Sequence, residues 1–363
     1  MVCVSVIMPS LNVAPYIRSC VESVLAQTLR DIEILCVDAG STDGTWEILQ
    51  ELAQRDGRIT LIRSDKRSYG YQVNLGIRRA SGEYLGIVET DDYIEPDMYE
   101  RLYTAARAEN LDVLKANYYV FTGSGESERA IPCRIARRSW QYRRVFAPID
   151  HVESFSNTLY TWSGVYRTAF LHENGILHNE TPGASFQDNG FWFQTFALAS
   201  RVRYYNACFY HLRRDNPGSS VFSSSKVYCE CEEYDFIRAF LCSHPDIEGR
   251  LAPVCAYRRC MNYFATLRRI APTDKDAFLQ RFAADFRRIE ADGELDRSLF
   301  SRREWRALRA VMADSGAYYE LERAKALPGQ TANRLQGGLN CLREHGLAYT
   351  LRYVCGKEKE IAP

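Results

Sequence analysis

The sequence lacks the features that mark several classes of protein. No two of its 12 cysteines form a Cys-x-x-Cys pair, and a chain of 363 residues does not need a disulfide framework, so a zinc site and a disulfide-rich fold are both disfavoured. Lysine plus arginine and aspartate plus glutamate both number 46, and this balance gives no support to nucleic-acid binding. The first residues, MVCVSVIMPSLN, lack a basic leader, and no uncharged apolar run approaches the ~20 residues that span a bilayer. We therefore expect a cytoplasmic protein.

The charge that is present is unevenly distributed. Residues 1–110 contain 11 basic and 17 acidic side chains, a net charge of −6, and the remaining residues carry +6. Within the acidic part, YLGIVETDDYIEPDMY at residues 84–99 places Glu89, Asp91 and Asp92 directly after an apolar run. Three carboxylates at one strand end repel one another, and burying them is unfavourable. The stretch is either a solvated acidic turn or a site for a cation.

Apolar runs alternate with helix-like segments over residues 1–121. Between the runs, apolar residues recur at intervals of three and four, which predicts helices. The alternation predicts an α/β fold with a mostly parallel, doubly wound sheet, in which ligands bind beyond the carboxyl ends of the strands. Five runs predict the strands: VCVSVIM, IEILCVD, ITLIRS, YLGIVET and LDVLKANYYVF.

Polar residues follow three of these predicted strands. Each group taken alone is compatible with ordinary turn or capping residues, as Ser41 and Asp43 are for the helix that follows them. Together, at one edge of a parallel sheet, they favour a ligand site. The strand-end residues are Pro9, Ser10, Leu11 and Asn12 after the first strand, Asp38 at the end of the second, and Glu89, Asp91 and Asp92 after the fourth.

Three longer stretches of the sequence are VSVIMPSLNVAPYIRSCVESVLAQTLRDIEILCVDAGSTDGT, NLGIRRASGEYLGIVETDDYIEPDMY and ETPGASFQDNGFWF. They resemble a known family, the inverting glycosyltransferases of family 2, of the type that builds bacterial capsules and exopolysaccharides. The resemblance implies a GT-A nucleotide-sugar-binding domain at residues 1–225, and we expect a helical extension at residues 226–363. It also implies a nucleotide-sugar donor, usually a UDP-sugar, and transfer with inversion to a hydroxyl of a glycan or lipid-linked acceptor.

The resemblance assigns the acidic group to a divalent cation, Mn²⁺ or Mg²⁺. By this comparison Asp92 is the direct metal ligand, Asp91 lies beside it near the ribose, and Glu89 stands where the family more often has aspartate. A cation at this position neutralises the charge that develops on a nucleotide diphosphate leaving group. It also relieves the repulsion among the carboxylates, which a bare acidic turn does not do.

The nucleotide pocket is carried over in the same way, with two departures. Asp38 matches the family position that accepts a hydrogen bond from the uracil ring. Leu11 stands where family members often have a base-stacking tyrosine, and Val73 replaces a frequent arginine before the asparagine of YGYQVN. Arg67, Tyr69 and Tyr71 are candidates to compensate. The predicted nucleotide-sugar-binding residues are Pro9, Leu11, Asn12, Asp38, Asn74 and Asp91.

An inverting transfer also needs a base that takes the proton of the acceptor hydroxyl. Asp188 matches the second residue of the family's Glu-Asp pair, with Gln187 in the place of the glutamate, and it is equally compatible with the N-terminus of a helix. Further along, FYHLRRDNPGSS offers His211 as a candidate additional metal ligand and two arginines for phosphate. Trp162 is a candidate to stack on an acceptor sugar, or else a core residue.

The last part of the chain has a helical pattern with repeated pairs of arginine, which usually mark a solvated helix face. We expect it to contact the acceptor, a second subunit in a homodimer, or a membrane. Residues 129–149 contain six arginines and no acid, interleaved with aromatic residues, and residues 335–354 combine leucines with arginines. Both patterns suit peripheral binding at the inner face of the cell membrane.

Two other functions remain open from the residues alone. A catalytically silent nucleotide-sugar-binding module is compatible with the same fold, although Asp38, Asp91, Asp92 and Asp188 are all present. A sugar-phosphate nucleotidyltransferase usually carries a glycine-rich, basic loop after its first strand, and MPSLNVAPY has no such loop.

Overall fold

The computed structural model describes residues 1–158, 160–184, 186–216 and 226–325. The chain divides into two compact units, residues 1–217 and 218–363. The predicted boundary between the two domains lies a few residues later, after residue 225. The roles assigned to the domains stay predictions.

One mixed sheet organises the first unit. In the described residues its strands follow the order β3-β2-β1-β4-β8-β6-β9-β5, and β7 pairs with β6 at the side. The strands are β1 Val4–Ser10, β2 Ile32–Asp38, β3 Ile59–Arg63, β4 Tyr84–Ile87, β5 Tyr93–Ile94, β6 Val113–Thr122, β7 Arg129–Cys133, β8 Gly164–Arg167 and β9 Val202–Arg213. The helices are α1 Ala14–Leu25, α2 Thr45–Arg55, α3 Tyr69–Arg79, α4 Met98–Ala108, α5 Thr168–Glu173 and α6 Asp188–Leu198.

The half of the sheet formed by β3, β2, β1 and β4 is parallel, as the sequence predicts. Every residue of β1 and β4 is buried, which explains why these strands read as continuous apolar runs. The register places Ser10 of β1 opposite Asp38 of β2 and Ile7 of β1 opposite Ile87 at the end of β4, so the carboxyl ends of β1, β2 and β4 lie at one edge of the sheet. The predicted convergence of the strand ends is therefore confirmed.

The other half of the sheet departs from the doubly wound pattern. β8 pairs antiparallel with both β4 and β6, and the two-residue strand β5 pairs antiparallel with β9. The second pairing brings residues just after Asp92 next to the end of β9, more than 100 residues later in the chain. The strand ends with the predicted site residues therefore belong to the parallel half of the sheet, and the end of β9 contacts the turn that follows β4.

The arginine-rich segment at residues 129–149 turns two of its three aromatic residues inward. Tyr142 and Phe146 are only 8% and 5% exposed, and both pack against the buried Tyr204. The interpretation that these rings are interleaved with arginines on a membrane-facing surface is therefore wrong for them. All six arginines are exposed and form what we call the basic surface: Arg129, Arg134, Arg137, Arg138, Arg143 and Arg144.

The second unit is helical in its described part. Its helices are α7 Cys229–Cys242, α8 Pro245–Arg269, α9 Lys275–Ala291, α10 Arg302–Ala313 and α11 Ser315–Lys325. Arg259 of α8 is buried and donates to Asp285 of α9 at 2.6 Å, and Tyr263 donates to the same carboxylate at 2.8 Å. This arginine is therefore not part of a solvated helix face, because it joins two helices through a buried ion pair.

Among the helices the structure describes, none combines the length and the apolar character needed to cross a membrane. The segment at residues 335–354, predicted to be an amphipathic membrane or docking helix, lies outside the described residues.

Candidate functional site

Three carboxylates meet in the turn after β4. Oxygen atoms of Glu89, Asp91 and Asp92 all lie within 4.8 Å of one another. The turn is fixed to β1, because the Val88 N–H donates to the Ile7 carbonyl at 2.9 Å and the Thr90 hydroxyl donates to the Pro9 carbonyl at 2.9 Å. The backbone of the turn therefore holds the acidic side chains together despite their repulsion.

Asp92 is held by the end of β9. Asp92 is only 2% exposed. One of its carboxylate oxygens accepts a hydrogen bond from the Tyr210 hydroxyl and the other accepts from the Arg213 N–H, both at 2.7 Å. The Tyr210 hydroxyl also accepts from the Glu89 N–H at 3.0 Å. A carboxylate fixed from two sides has little freedom to turn away, which preorganises it as a ligand.

Trp162 is part of this support. Its ring stacks on Tyr210 with centroids 4.0 Å apart and on Tyr160 at 4.6 Å, and the residue is only 3% exposed. The alternative of a core residue is therefore correct, and the suggested stacking on an acceptor sugar is not, because both faces of the indole are covered by protein rings.

The electrostatics of the acidic group favour a bound cation. Loss of solvation raises the pKa of Glu89 to about 8, with repulsion from Asp91 and Asp188 adding to it and Arg214 opposing it. Loss of solvation, followed by repulsion from Asp91 and Glu89, raises the pKa of Asp92 as well. Three carboxylates that repel one another and supply hard oxygen ligands fit a divalent cation such as Mg²⁺ or Mn²⁺.

Asp38, at the end of β2, is enclosed by hydrogen-bond donors and is 0% exposed. Its Oδ1 accepts from the backbone N–H groups of Gly40 and Ser41 at 3.0 and 3.1 Å and from Arg63 at 2.8 Å. Its Oδ2 accepts from the Ser41 hydroxyl at 2.5 Å and the Ser10 hydroxyl at 3.4 Å. This carboxylate orders the loop after β2 and the last residue of β3.

The loop after β1 is tied to the same structure. Asn12 is exposed and adopts a positive φ of 53°, its N–H donates to the Ser41 hydroxyl at 2.9 Å, and its side-chain oxygen accepts from the Thr42 N–H at 2.9 Å. Leu11 is partly exposed beside it, while Pro9 is buried in β1. Asn12 and Leu11 therefore lie in an ordered loop directly after β1, and their contact with a nucleotide stays a prediction.

Asn74 is placed differently from the other predicted nucleotide-binding residues. It is fully buried in α3, and its amide donates to the His178 carbonyl at 2.9 Å and accepts from the His178 N–H at 2.8 Å. Both polar atoms of the amide are therefore occupied by the chain itself. In this geometry Asn74 stabilises the loop before α6. Its predicted contact with the nucleotide stays a prediction.

Asp188 is the first residue of α6 and is partly exposed. A carboxylate in the first turn is favoured by the helix dipole. Its charge contributes to the raised pKa of Glu89, so Asp188 lies within electrostatic reach of the acidic group. Gln187 is buried, and its amide donates to Thr181 and to the Gly183 carbonyl at 3.0 Å, so this residue shapes the loop that presents Asp188.

His211 does not join the acidic group. Neighbouring residues of a strand point to opposite faces of the sheet, so His211 faces away from Tyr210 and Asp92. Its ring is stacked between Tyr93 and Tyr119, and its Nε2 lies 2.8 Å from Glu95 Oε1. The tentative assignment of His211 as a metal ligand is therefore wrong in this structure.

Sequence reasoning missed three residues of the site. Tyr210 supports Asp92, and the period of two along β9 could have identified it as the residue on the face opposite His211. Lys115 is fully buried in β6, where a lone lysine in the apolar run LDVLKANYYVF was the signal. Arg63 lies across from Asp38, but nothing in the sequence marks this pairing before the register of β2 and β3 is known.

The family model "Glycosyl transferase family 2" matches residues 5–164. Among curated proteins, the uncharacterized glycosyltransferase EpsJ of Bacillus subtilis is 32% identical over 217 residues, which cover 60% of this chain and 62% of that protein. The glycosyltransferase GlyA of Streptococcus pneumoniae is 32% identical over 218 residues, covering 58% of this chain and 30% of that protein. The chain thus spans less than two thirds of the length of both relatives.

The fold is also similar to solved structures. Residues 1–349 of TarS from S. aureus, crystallised in complex with UDP-GlcNAc, superpose with a TM-score of 0.68 at 17% identity, covering 87% of this chain and 89% of that one. At this level of identity the similarity concerns the fold.

Proposed function

We propose that the protein transfers a sugar from a nucleotide-sugar donor to an acceptor hydroxyl, because residues 5–164 match the model of glycosyl transferase family 2 and the fold is similar to that of TarS. The observation that carries the proposal is the group of Glu89, Asp91 and Asp92, held within 4.8 Å of one another at the carboxyl end of the sheet. Such a group is suited to a nucleotide diphosphate through a bridging cation.

The proposed donor is a UDP-sugar. The support is the resemblance of the strand ends to UDP-sugar-binding members of the family and the similarity in fold to a protein crystallised with UDP-GlcNAc. A Mn²⁺ or Mg²⁺ ion held by Asp92 and Asp91 would neutralise the charge of the departing diphosphate. Tyr210 and the Arg213 N–H keep the Asp92 carboxylate in place for this role.

Asp188 is the proposed general base. It accepts the proton of the acceptor hydroxyl as that oxygen attacks the anomeric carbon, and the diphosphate leaves from the opposite face, so the configuration inverts. It is the first residue of α6, where the helix dipole favours a carboxylate, and its partial exposure leaves it accessible to an acceptor. The loop that holds it is ordered by Gln187 and Asn74.

The proposed acceptor is a glycan or a lipid-linked glycan of a cell-surface polysaccharide. The basic surface supports contact with an anionic membrane through charge alone, since Tyr142 and Phe146 are buried. The helical second unit is the proposed site of acceptor, homodimer or membrane contacts.

A binding and hydrolysis screen tests the proposal. The full chain is mixed with UDP-, GDP- and TDP-sugars, with Mn²⁺ or with EDTA, and thermal shift and nucleotide release are measured. We expect a rise in melting temperature and slow release of UDP from one UDP-sugar, both dependent on the cation. Absence of any response to all donors in the presence of Mn²⁺ contradicts the proposal, and binding without turnover in the presence of acceptor glycans would favour a silent binding module.

A further inference from the structure

Asp38 has no surface left for a ligand. Its two oxygens receive four hydrogen bonds from Gly40, Ser41 and Arg63, the Ser10 hydroxyl is a further donor shared with the Val37 carbonyl, and the residue is 0% exposed. A carboxylate offers about four lone-pair sites, so these donors saturate it. A direct hydrogen bond from Asp38 to a nucleobase would need one of the donors to leave.

The accessible group next to Asp38 is Arg63. Its side chain is 50% exposed, and its Nη1 donates to Asp38 at 2.8 Å. Its guanidinium carbon lies 3.4 Å from the centroid of the Trp46 ring, in the first turn of α2. An ion pair at one edge and an aromatic ring on one face fix the plane of the guanidinium group, which carries five N–H donors.

We propose that Arg63 is the residue that recognises the nucleobase, by donating a hydrogen bond to the carbonyl O4 of uracil. The inference rests on the proposed function and names the contact that selects its UDP-sugar. Trp46 and Asp38 are positioning residues that hold the guanidinium plane. Leu11 stands where the family often has a stacking tyrosine, and the planar Arg63–Trp46 pair offers a π surface at the end of β3.

The chemistry of the base makes this contact selective. Uracil presents a carbonyl acceptor at position 4, whereas cytosine presents an amino group there, and an N–H donor of arginine cannot bond to that amino group. A hydrogen bond that involves a charged partner contributes enough to change binding about tenfold or more. Arg63 therefore discriminates UDP from CDP. The affinity for inorganic pyrophosphate, which has no base, does not depend on Arg63.

The test compares variants of the full chain by calorimetry with UDP, CDP and inorganic pyrophosphate, all with Mn²⁺. Arg63→Met should weaken UDP binding about tenfold or more and leave CDP and pyrophosphate unchanged, so that the preference for UDP is lost. Arg63→Lys, which keeps the charge but not the plane, should also lose most of the preference. Trp46→Leu should act in the same direction with a smaller loss.

Arg55→Met is the matched control, because Arg55 lies at the end of α2, is exposed, and pairs with Glu51 rather than Asp38. It should leave all three affinities unchanged. If wild-type protein binds UDP but Arg63→Met keeps the wild-type ratio of UDP to CDP affinity, the inference is overturned. Equal weakening of UDP and pyrophosphate overturns it as well, since it indicates a general effect of charge. Failure of wild-type protein to bind UDP overturns the proposed function instead.

Discussion

At the scale of single residues, Asp92 links the fold to the proposed chemistry. Asp92→Asn keeps the size of the side chain and removes its charge, so we expect the fold to persist and the dependence of UDP binding on Mn²⁺ to disappear. Calorimetry with UDP, with Mn²⁺ and with EDTA, measures this, and circular dichroism verifies the fold. Asp97→Asn is the control, because Asp97 is a partly exposed acid that pairs with Arg101. Unchanged UDP affinity with Mn²⁺ would exclude Asp92 as a ligand.

Asp188 is tested by separating binding from turnover. Asp188→Asn should leave UDP affinity nearly intact and reduce the rate of transfer by a factor on the order of 10² or more, as expected for the loss of a general base. Steady-state kinetics with the identified donor and acceptor, together with UDP calorimetry, give both quantities. Loss of UDP binding together with turnover would instead assign Asp188 to the donor site or to the structure.

The buried Lys115 should make the stability of the protein depend on pH. Burial lowers the pKa of Lys115 to about 7 from 10.5, against the opposing effect of the Asp188 charge. Between these two pH values the unfolded state binds more protons than the folded state, so this group makes stability rise with pH. From pH 7 to pH 9, the unfolding free energy of wild type minus that of Lys115→Met should therefore increase, by about 1.4 kcal/mol per pH unit at most.

Denaturant unfolding at several pH values measures this difference. Tryptophan fluorescence reports mainly on the first unit, which contains four of the five tryptophans. A constant difference between wild type and Lys115→Met across this pH range would show that the lysine is charged in the folded protein.

At the scale of elements, the contact between α3 and the loop before α6 sets the position of Asp188. Gly70 in the first turn of α3 has no space for a side chain, since a Cβ there would lie 1.9 Å from the Asn179 carbonyl oxygen. Gly70→Ala should therefore displace the loop and destabilise the protein by about 1–3 kcal/mol. Thermal unfolding and turnover should both decline.

Gly57→Ala provides the comparison, because a Cβ at Gly57 meets nothing within 4 Å. It should leave both the melting temperature and turnover close to those of wild type. A Gly70→Ala variant with wild-type turnover would show that the loop adapts without moving the base.

The sequence predicts the parallel half of this fold well and the second half poorly. Buried parallel strands such as β1 and β4 are continuous apolar runs, and the rule for ligand position then locates Glu89, Asp91 and Asp92 without any structure. The surroundings of His211 and Trp162 depend on which face of a strand each one occupies and on which strand pairs with β9. Those pairings join distant parts of the chain, and no local pattern encodes them. The Arg63–Asp38 contact depends on register in the same way.

At the scale of the whole molecule, the opposite charges of the two parts of the chain bear on membrane binding. The first 110 residues have a net charge of −6, while the basic surface at residues 129–149 offers six exposed arginines. Each basic residue near an anionic membrane contributes about 1 kcal/mol, and this attraction is screened by salt. We expect the protein to sediment with anionic vesicles at low salt, and to remain in the supernatant at high salt or with neutral vesicles.

Replacing Arg134, Arg143 and Arg144 by glutamine should reduce this sedimentation, whereas replacing Arg78 and Arg79 on α3 should not. The buried Tyr142 and Phe146 predict little insertion, so binding should disappear fully as salt is raised. Equal recovery in the supernatant with neutral and anionic vesicles at low salt would contradict membrane contact.

The bonds between Asp92 and the end of β9 also determine when the site can exist during synthesis. Tyr210 and Asp92 are 118 positions apart in the chain. At roughly 5–20 residues per second, a ribosome needs roughly 6–24 seconds to cover that distance. Throughout that interval the emerging turn carries its carboxylates without the hydroxyl and N–H that fix Asp92. A nascent chain that stops before β9 therefore lacks an ordered cation site, and the first unit becomes competent only as its last strand leaves the exit tunnel.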